Sequence, residues 1–93
     1  MKKMEVWKWT LLVPQRNSHT SLQVPAGSAF ITAREQHDQI CVWGLVDPDE
    51  TRREEKKLRV VATGQDLGEG RFRYLGTAHL DGGRSIFHVF QVL

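Results

Sequence analysis

Hydrophobic residues along this chain recur mostly at every second position, and the β-branched and aromatic side chains fall inside those alternating runs. From Val6 to Val13 the odd positions Trp7, Trp9, Leu11 and Val13 share one face while Lys8 and Thr10 point the other way, the pattern of a half-buried strand. Pro14 to Ser18 reads as a loop and Thr20 to Val24 as a short strand. Pro25-Ala26-Gly27 reads as a turn, in which proline sets φ and glycine accepts either sign. Ala29 to Arg34 alternates again and ends in the polar stretch Glu35 to Gln39, which predicts a hairpin loop. The partner run, Ile40 to Val46, has Cys41, Trp43 and Leu45 on one face and Ile40, Val42 and Val46 on the other. Apolar on both sides, it is expected at the centre of the fold, covered on both faces, with Trp43 in the core.

Leu58 to Thr63, Phe72 to Leu80 and Ser85 to Val92 add three strands. The last two are joined by Asp81-Gly82-Gly83, whose glycines permit the positive φ of a tight hairpin. Gly64 to Gly70 is composed like a phosphate loop, but with no P-loop Lys-Ser/Thr pair and no following helix it is expected as a flexible hairpin loop. One segment breaks the rhythm. In Asp47 to Lys57, Asp47 is placed to cap a helix with Pro48 at its first position and Glu50 completing a capping box, which predicts a short exposed helix or a flexible loop. The fold class expected is therefore all-β: a small antiparallel sandwich or partly open barrel of about six to seven strands with at most one short exposed helical turn.

Ninety-three residues, 40% hydrophobic and 26% charged, suit one globular domain spanning residues 1–93. Thirteen basic against eleven acidic side chains leave a net charge of only +2. Arg52, Arg53, Lys56 and Lys57 are cancelled within their own segment by Asp49, Glu50, Glu54 and Glu55. With no clustered basic stripe, the sequence argues against nucleic acid as a partner. Cys41 is the single cysteine, so no intramolecular disulfide forms and a reducing cytoplasm suits the chain. The basic N-terminal stretch is interrupted by Glu5 and Lys8, which a signal peptide would not tolerate, and no run approaches the roughly 20 apolar residues of a membrane span. A cytoplasmic protein without a membrane anchor is expected.

The four histidines, His19, His37, His79 and His88, have no zinc-ligand spacing, so neither a metal nor a cofactor is expected. His79 and His88 flank the glycine hairpin at similar offsets and can face each other across it. Arg71, Arg73 and Arg84, with His79 or His88 nearby, are the candidate contacts for a phosphorylated ligand or an acidic partner, because a guanidinium binds phosphate bidentately. Trp7, Trp9, Phe72, Tyr74, Phe87 and Phe90 are assigned to the core of so small a domain in preference to a base-stacking platform beside Lys8, Arg71 and Arg73.

Val24-Pro25-Ala26-Gly27, Val42-Trp43-Gly44-Leu45-Val46-Asp47-Pro48, Ala62-Thr63-Gly64, Tyr74-Leu75-Gly76-Thr77, Leu80-Asp81-Gly82-Gly83 and Phe87-His88-Val89-Phe90 occur in an order and spacing that resembles a family of small uncharacterised proteins of tailed bacteriophages and prophages. The closing Gly-Gly and Phe-His-Val-Phe signature is the most specific part. Where that family has Gly-Thr-Gly-His and a glutamate after the last phenylalanine, this chain has Ala62-Thr63-Gly64-Gln65 and Gln91. The resemblance implies a phage or prophage origin and an accessory role. Together these features lead to an expected function as a non-enzymatic binding module docking on a host or phage protein inside a bacterial cell, with homodimer formation through an edge strand such as Val6 to Val13. The alternatives are a sequestrant of a small phosphorylated ligand or nucleotide and, less favoured, a small hydrolase using His79 or His88 with Asp81.

Overall fold

A computed structural model describes residues 3–12 and 19–93. Seven strands form one sheet: β1 (Glu5–Leu11), β2 (His19–Pro25), β3 (Ala29–Gln36), β4 (Gln39–Val46), β5 (Arg53–Ala62), β6 (Phe72–Leu80) and β7 (Ser85–Val92). The expected loop at Pro14 to Ser18 lies outside the described residues. The only helical turn among the described residues is a 3₁₀ turn at Asp81–Gly83.

The spatial order β1-β4-β3-β6-β7-β5-β2 consists of two antiparallel blocks, β1-β4-β3 and β6-β7-β5-β2, joined where β3 and β6 run parallel. The sheet curls into a nearly closed barrel. Leu11 of β1 and Val24 of β2, from its two opposite edges, meet in one core with Phe30, Ala33, Ile40, Val42, Leu58, Val60, Leu75, Ala78, Leu80 and Val89. Every strand thus contributes an inward row, and the alternation of the sequence is the alternation of core and surface.

Several sequence expectations meet the structure directly. β6 and β7 run over the predicted residues, and Gly82 and Gly83 take φ of 64° and 91° in the hairpin between them. At Pro25 to Ser28 the amide of Ser28 donates to the Pro25 carbonyl at 3.1 Å around Gly27 at φ 82°, a type II turn. The β3–β4 loop is tighter than expected, because His37 and Asp38 alone form it in left-handed conformation.

Four expectations are corrected. β4 is not central: it lies between the edge strand β1 and β3. Only its inward face is fully covered, so Leu45 is exposed and Trp43 half-buried on the outside instead of in the core. The segment Asp47 to Lys57 holds no helix. Asp47 instead builds a turn, its carbonyl accepting from the amide of Glu50 and its carboxylate from that of Asp49, and Arg53 to Lys57 extend β5 along β2. Alternating charges suit a strand edge as well as a helix surface, and the pairing partner Ser21 to Pro25 decides between them.

The fourth correction concerns Gly64 to Gly70. β5 and β6 both pair with β7 and are therefore parallel to each other, so their connection is a crossover and not a hairpin. It must travel the length of β7 without a helix to fill the space.

Candidate functional site

The crossover lies on the outer face of the sheet, and Arg59 holds it there. Arg59 points away from the core yet is only 4% exposed. Its Nε donates to the Leu67 carbonyl at 3.2 Å and its Nη2 to the Asp66 carbonyl at 3.1 Å. A charged group this buried needs such acceptors, since an unsatisfied guanidinium would cost several kcal/mol, on the order of a lost charged hydrogen bond or more. Asp66 in turn accepts the Gly68 amide at 2.8 Å, which shapes the bend.

Register places His19, Arg59, Phe90 and Tyr74 in one row across β2, β5, β7 and β6. Phe72 and Tyr74 both lean on Phe90, with ring centroids 6.3 and 5.5 Å apart. Tyr74 is 57% exposed. Of the aromatics assigned to the core, these three therefore lie outside, whereas Phe87 packs against the core from β7 and Trp9 from β1. Between the row and the crossover is a hollow of about 320 Å³ lined by His19, Arg59, Asp66, Leu67, Gly68, Glu69 and Phe72.

The next row runs Val61, His88, Thr77. His88 has both ring nitrogens engaged: Nε2 with the Thr63 hydroxyl at 2.8 Å and Nδ1 with the Thr77 hydroxyl at 3.1 Å, and Thr77 also meets the Tyr74 hydroxyl. A neutral imidazole has one donor and one acceptor nitrogen, so one threonine donates and the other accepts. His79 does not face His88. It pairs with Ile86, is exposed, and gives its backbone amide to Glu35 at 3.1 Å.

A family model matches residues 2–93, described as a domain of unknown function, DUF7352. The chain belongs to the DUF7352 family. No curated protein and no solved structure matches it.

In this DUF7352 chain the predicted arginines are not gathered. Arg71 precedes the first residue of β6 and Arg84 follows the hairpin at its far end, so a nine-residue strand separates them by roughly 30 Å at about 3.3 Å per residue. Arg73 Nη2 donates to the Phe30 carbonyl at 3.1 Å, across the β3–β6 joint. Arg84 borders a second hollow of about 310 Å³ with Thr63 and Ser85. Of the predicted contacts His88 lies nearest the aromatic row by side-chain bonds, through Thr77 and its contact with the Tyr74 hydroxyl, whereas Arg71 and Arg73 are neighbours of Phe72 in the chain alone. Arg59, Thr63 and Thr77 escaped the sequence reading. For Arg59 a signal existed: a lone charge in the apolar run Leu58-Arg59-Val60-Val61 has to find acceptors from somewhere. The threonines carry no comparable mark.

The joint between the blocks is stitched by side chains. Besides Arg73, the Thr32 hydroxyl donates to the Leu75 carbonyl at 3.3 Å, and the Glu35 and Asp38 carboxylates accept the amides of His79 and Asp81. The Glu35 carboxyl is held below its ordinary value, first by the hydrogen bond from its own backbone amide and then by that of His79, with the His79 and Arg34 charges adding to these.

Proposed function

We propose that this protein is a non-enzymatic accessory module of phage or prophage type that docks a protein partner at the β1 edge inside a bacterial cell. The observation carrying the proposal is the row Val6–Leu45–Ala29 on the outer face of β1, β4 and β3, exposed throughout, with Val6 at 58% and Leu45 at 39%. Met4 and Ile31 add to it from the flanks; Ile31 is the extra residue of a bulge between Phe30 and Thr32 and is turned outward by it. Apolar side chains beside an unpaired strand edge suit strand addition, in which backbone hydrogen bonds provide affinity and side-chain pockets provide selection. The engagement of both His88 nitrogens by threonine hydroxyls supports a structural role for that ring.

The test compares wild-type bait with a Val6→Asp, Leu45→Asp double variant in affinity purification from host cells, alongside sedimentation of each. A partner retained by the wild type and lost by the folded variant is expected. A wild-type monomer whose captured proteins are identical for both baits overturns the proposal. Concentration-dependent dimerisation abolished by the variant identifies the partner as a second copy.

A further inference from the structure

We propose that the hollow at the end of β5 binds a small phosphate monoester, its phosphate on Arg84, Ser85 and Thr63 and its organic group against Ile86 and Phe87. Register makes the opening. Ala62 and Phe87 are the last residues paired between β5 and β7, so Ser85 and Ile86 have β6 on one side and no strand on the other. Along this open edge is a hollow of about 310 Å³ lined by Ala62, Thr63, Arg84, Ser85, Ile86 and Phe87. Because it lies off the end of a strand, residues from both faces of β7 border it.

The polar lining consists of donors. The Arg84 guanidinium and the Ser85 hydroxyl have no hydrogen-bond or ion-pair partner among the described residues, and no carboxylate lines the hollow. A guanidinium with hydroxyls beside it selects an anion, since all of them donate and none repels it. Three donor side chains match the three terminal oxygens of a phosphate better than the two of a carboxylate. One cation does not suit a polyphosphate, and Ala62, Ile86 and Phe87 provide apolar surface for a small organic group.

The third donor is set by a chain of hydrogen bonds that ends at the hollow. A phenol is a stronger acid than an alcohol, so the Tyr74 hydroxyl donates to Thr77 Oγ1. The Thr77 hydroxyl then donates to His88 Nδ1, which leaves the ring proton on Nε2 to be donated to Thr63 Oγ1 at 2.8 Å. The Thr63 proton is thereby released for a ligand. Both walls are also preset. The Gln65 amide donates to the Ala62 carbonyl and the Ala62 amide to Gln65 Oε1, each at 3.0 Å, which fixes the turn holding Thr63. The Arg84 amide closes the hairpin on the Asp81 carbonyl at 3.2 Å. Little backbone remains to be ordered when a ligand arrives.

Calorimetric titration of the full chain with phenyl phosphate, inorganic phosphate and benzoate tests this. Phenyl phosphate is expected to bind saturably and more tightly than the other two. Arg84 and Thr63 are exposed, so changing them leaves the fold intact. Arg84→Gln is expected to weaken phenyl phosphate about tenfold or more, whereas Arg71→Gln, an exposed arginine outside the hollow, leaves it unchanged. Thr63→Val is expected to weaken it and Thr63→Ser to restore it. Ile86→Ala is expected to weaken phenyl phosphate but not inorganic phosphate. Nitrogen NMR of the neutral His88 ring is expected to find the proton on Nε2. The proposal is overturned if phenyl phosphate shows no saturable binding, if benzoate or inorganic phosphate binds as tightly, or if Arg84→Gln has no more effect than Arg71→Gln. A neutral ring with its proton on Nδ1 overturns it as well, because Thr63 would then have no proton to offer.

Discussion

The backbone of Ala33 occupies the space in which a side chain at Gly76 would have to stand. A Cβ there would overlap the Ala33 carbonyl oxygen and lie 2.8 Å from its carbon and 3.0 Å from its nitrogen. Glycine is needed here for close approach and not for its conformational freedom, because this is the point where the parallel strands β3 and β6 meet. Gly76→Ala is expected to cost about 3 kcal/mol or more, the upper end of overpacking penalties, measured by urea denaturation. Gly27→Ala, with a φ of 82° but open space around it, is expected to cost only about 1 kcal/mol.

Along the same joint, acid should weaken the seam. The Glu35 carboxyl lies below its ordinary value of 4.5 in the folded chain. Its contribution is therefore present above about that pH and is lost as pH falls through the lower folded value. Melting temperatures of the wild type and Glu35→Gln measured from pH 7 to pH 3 are expected to converge at the acid end, the wild type having the steeper decline.

Loss of the buried guanidinium should free the crossover. Arg59→Met preserves the aliphatic bulk but leaves the Leu67 and Asp66 carbonyls without their donor. A loss of about 2 to 3 kcal/mol is expected, with limited proteolysis shifting to residues 64–70. Arg59→Lys, which cannot reach two carbonyls with a planar fork, is expected to fall between the wild type and Arg59→Met.

The two-residue turn separates strain from bonding. His37 and Asp38 both take positive φ, 53° and 58°. His37→Gly should relieve strain and stabilise by about 0.5 to 1 kcal/mol. Asp38→Gly relieves similar strain but loses the carboxylate that accepts the Asp81 amide at 2.7 Å, so it is expected to gain nothing. Asp38→Asn retains an acceptor and should behave like the wild type. In thermal melts only His37→Gly is expected to rise above the wild type, and a comparable rise for Asp38→Gly would show that the carboxylate bond contributes nothing.

Much of the strand pattern was legible because period-two alternation is a local property. β6 and β7 follow it over their predicted residues, and Gly82 and Gly83 mark the turn between them. Strand order was not legible. Nothing in Ile40 to Val46 distinguishes a central strand from one beside the edge, since Leu45 and Trp43 are as apolar as buried residues. Arg53 to Lys57 became a strand through pairing with Ser21 to Pro25, a partner about 30 residues away that local composition does not reveal. The candidate site was hidden for the same reason. His19, Arg59, Phe90 and Tyr74 are brought together by register across four strands, and the arginine that shapes their wall was masked by its apolar neighbours.

The interleaving of the two blocks also sets an order of assembly. β2 lies between β1 and β3 in the chain but belongs to the other block, where it pairs only with β5. β5 and β6 are in turn bridged by β7, which follows the other six strands in the chain. The first native unit available during synthesis is the β3–β4 hairpin with β1 added to it, while β2 has to wait for distant partners. Closing such long loops before any contact compensates makes folding slow. A chain stopped before Ser85 would hold β1-β4-β3-β6 and a detached β2-β5 pair, with no β7 to bridge them and the core open between the two.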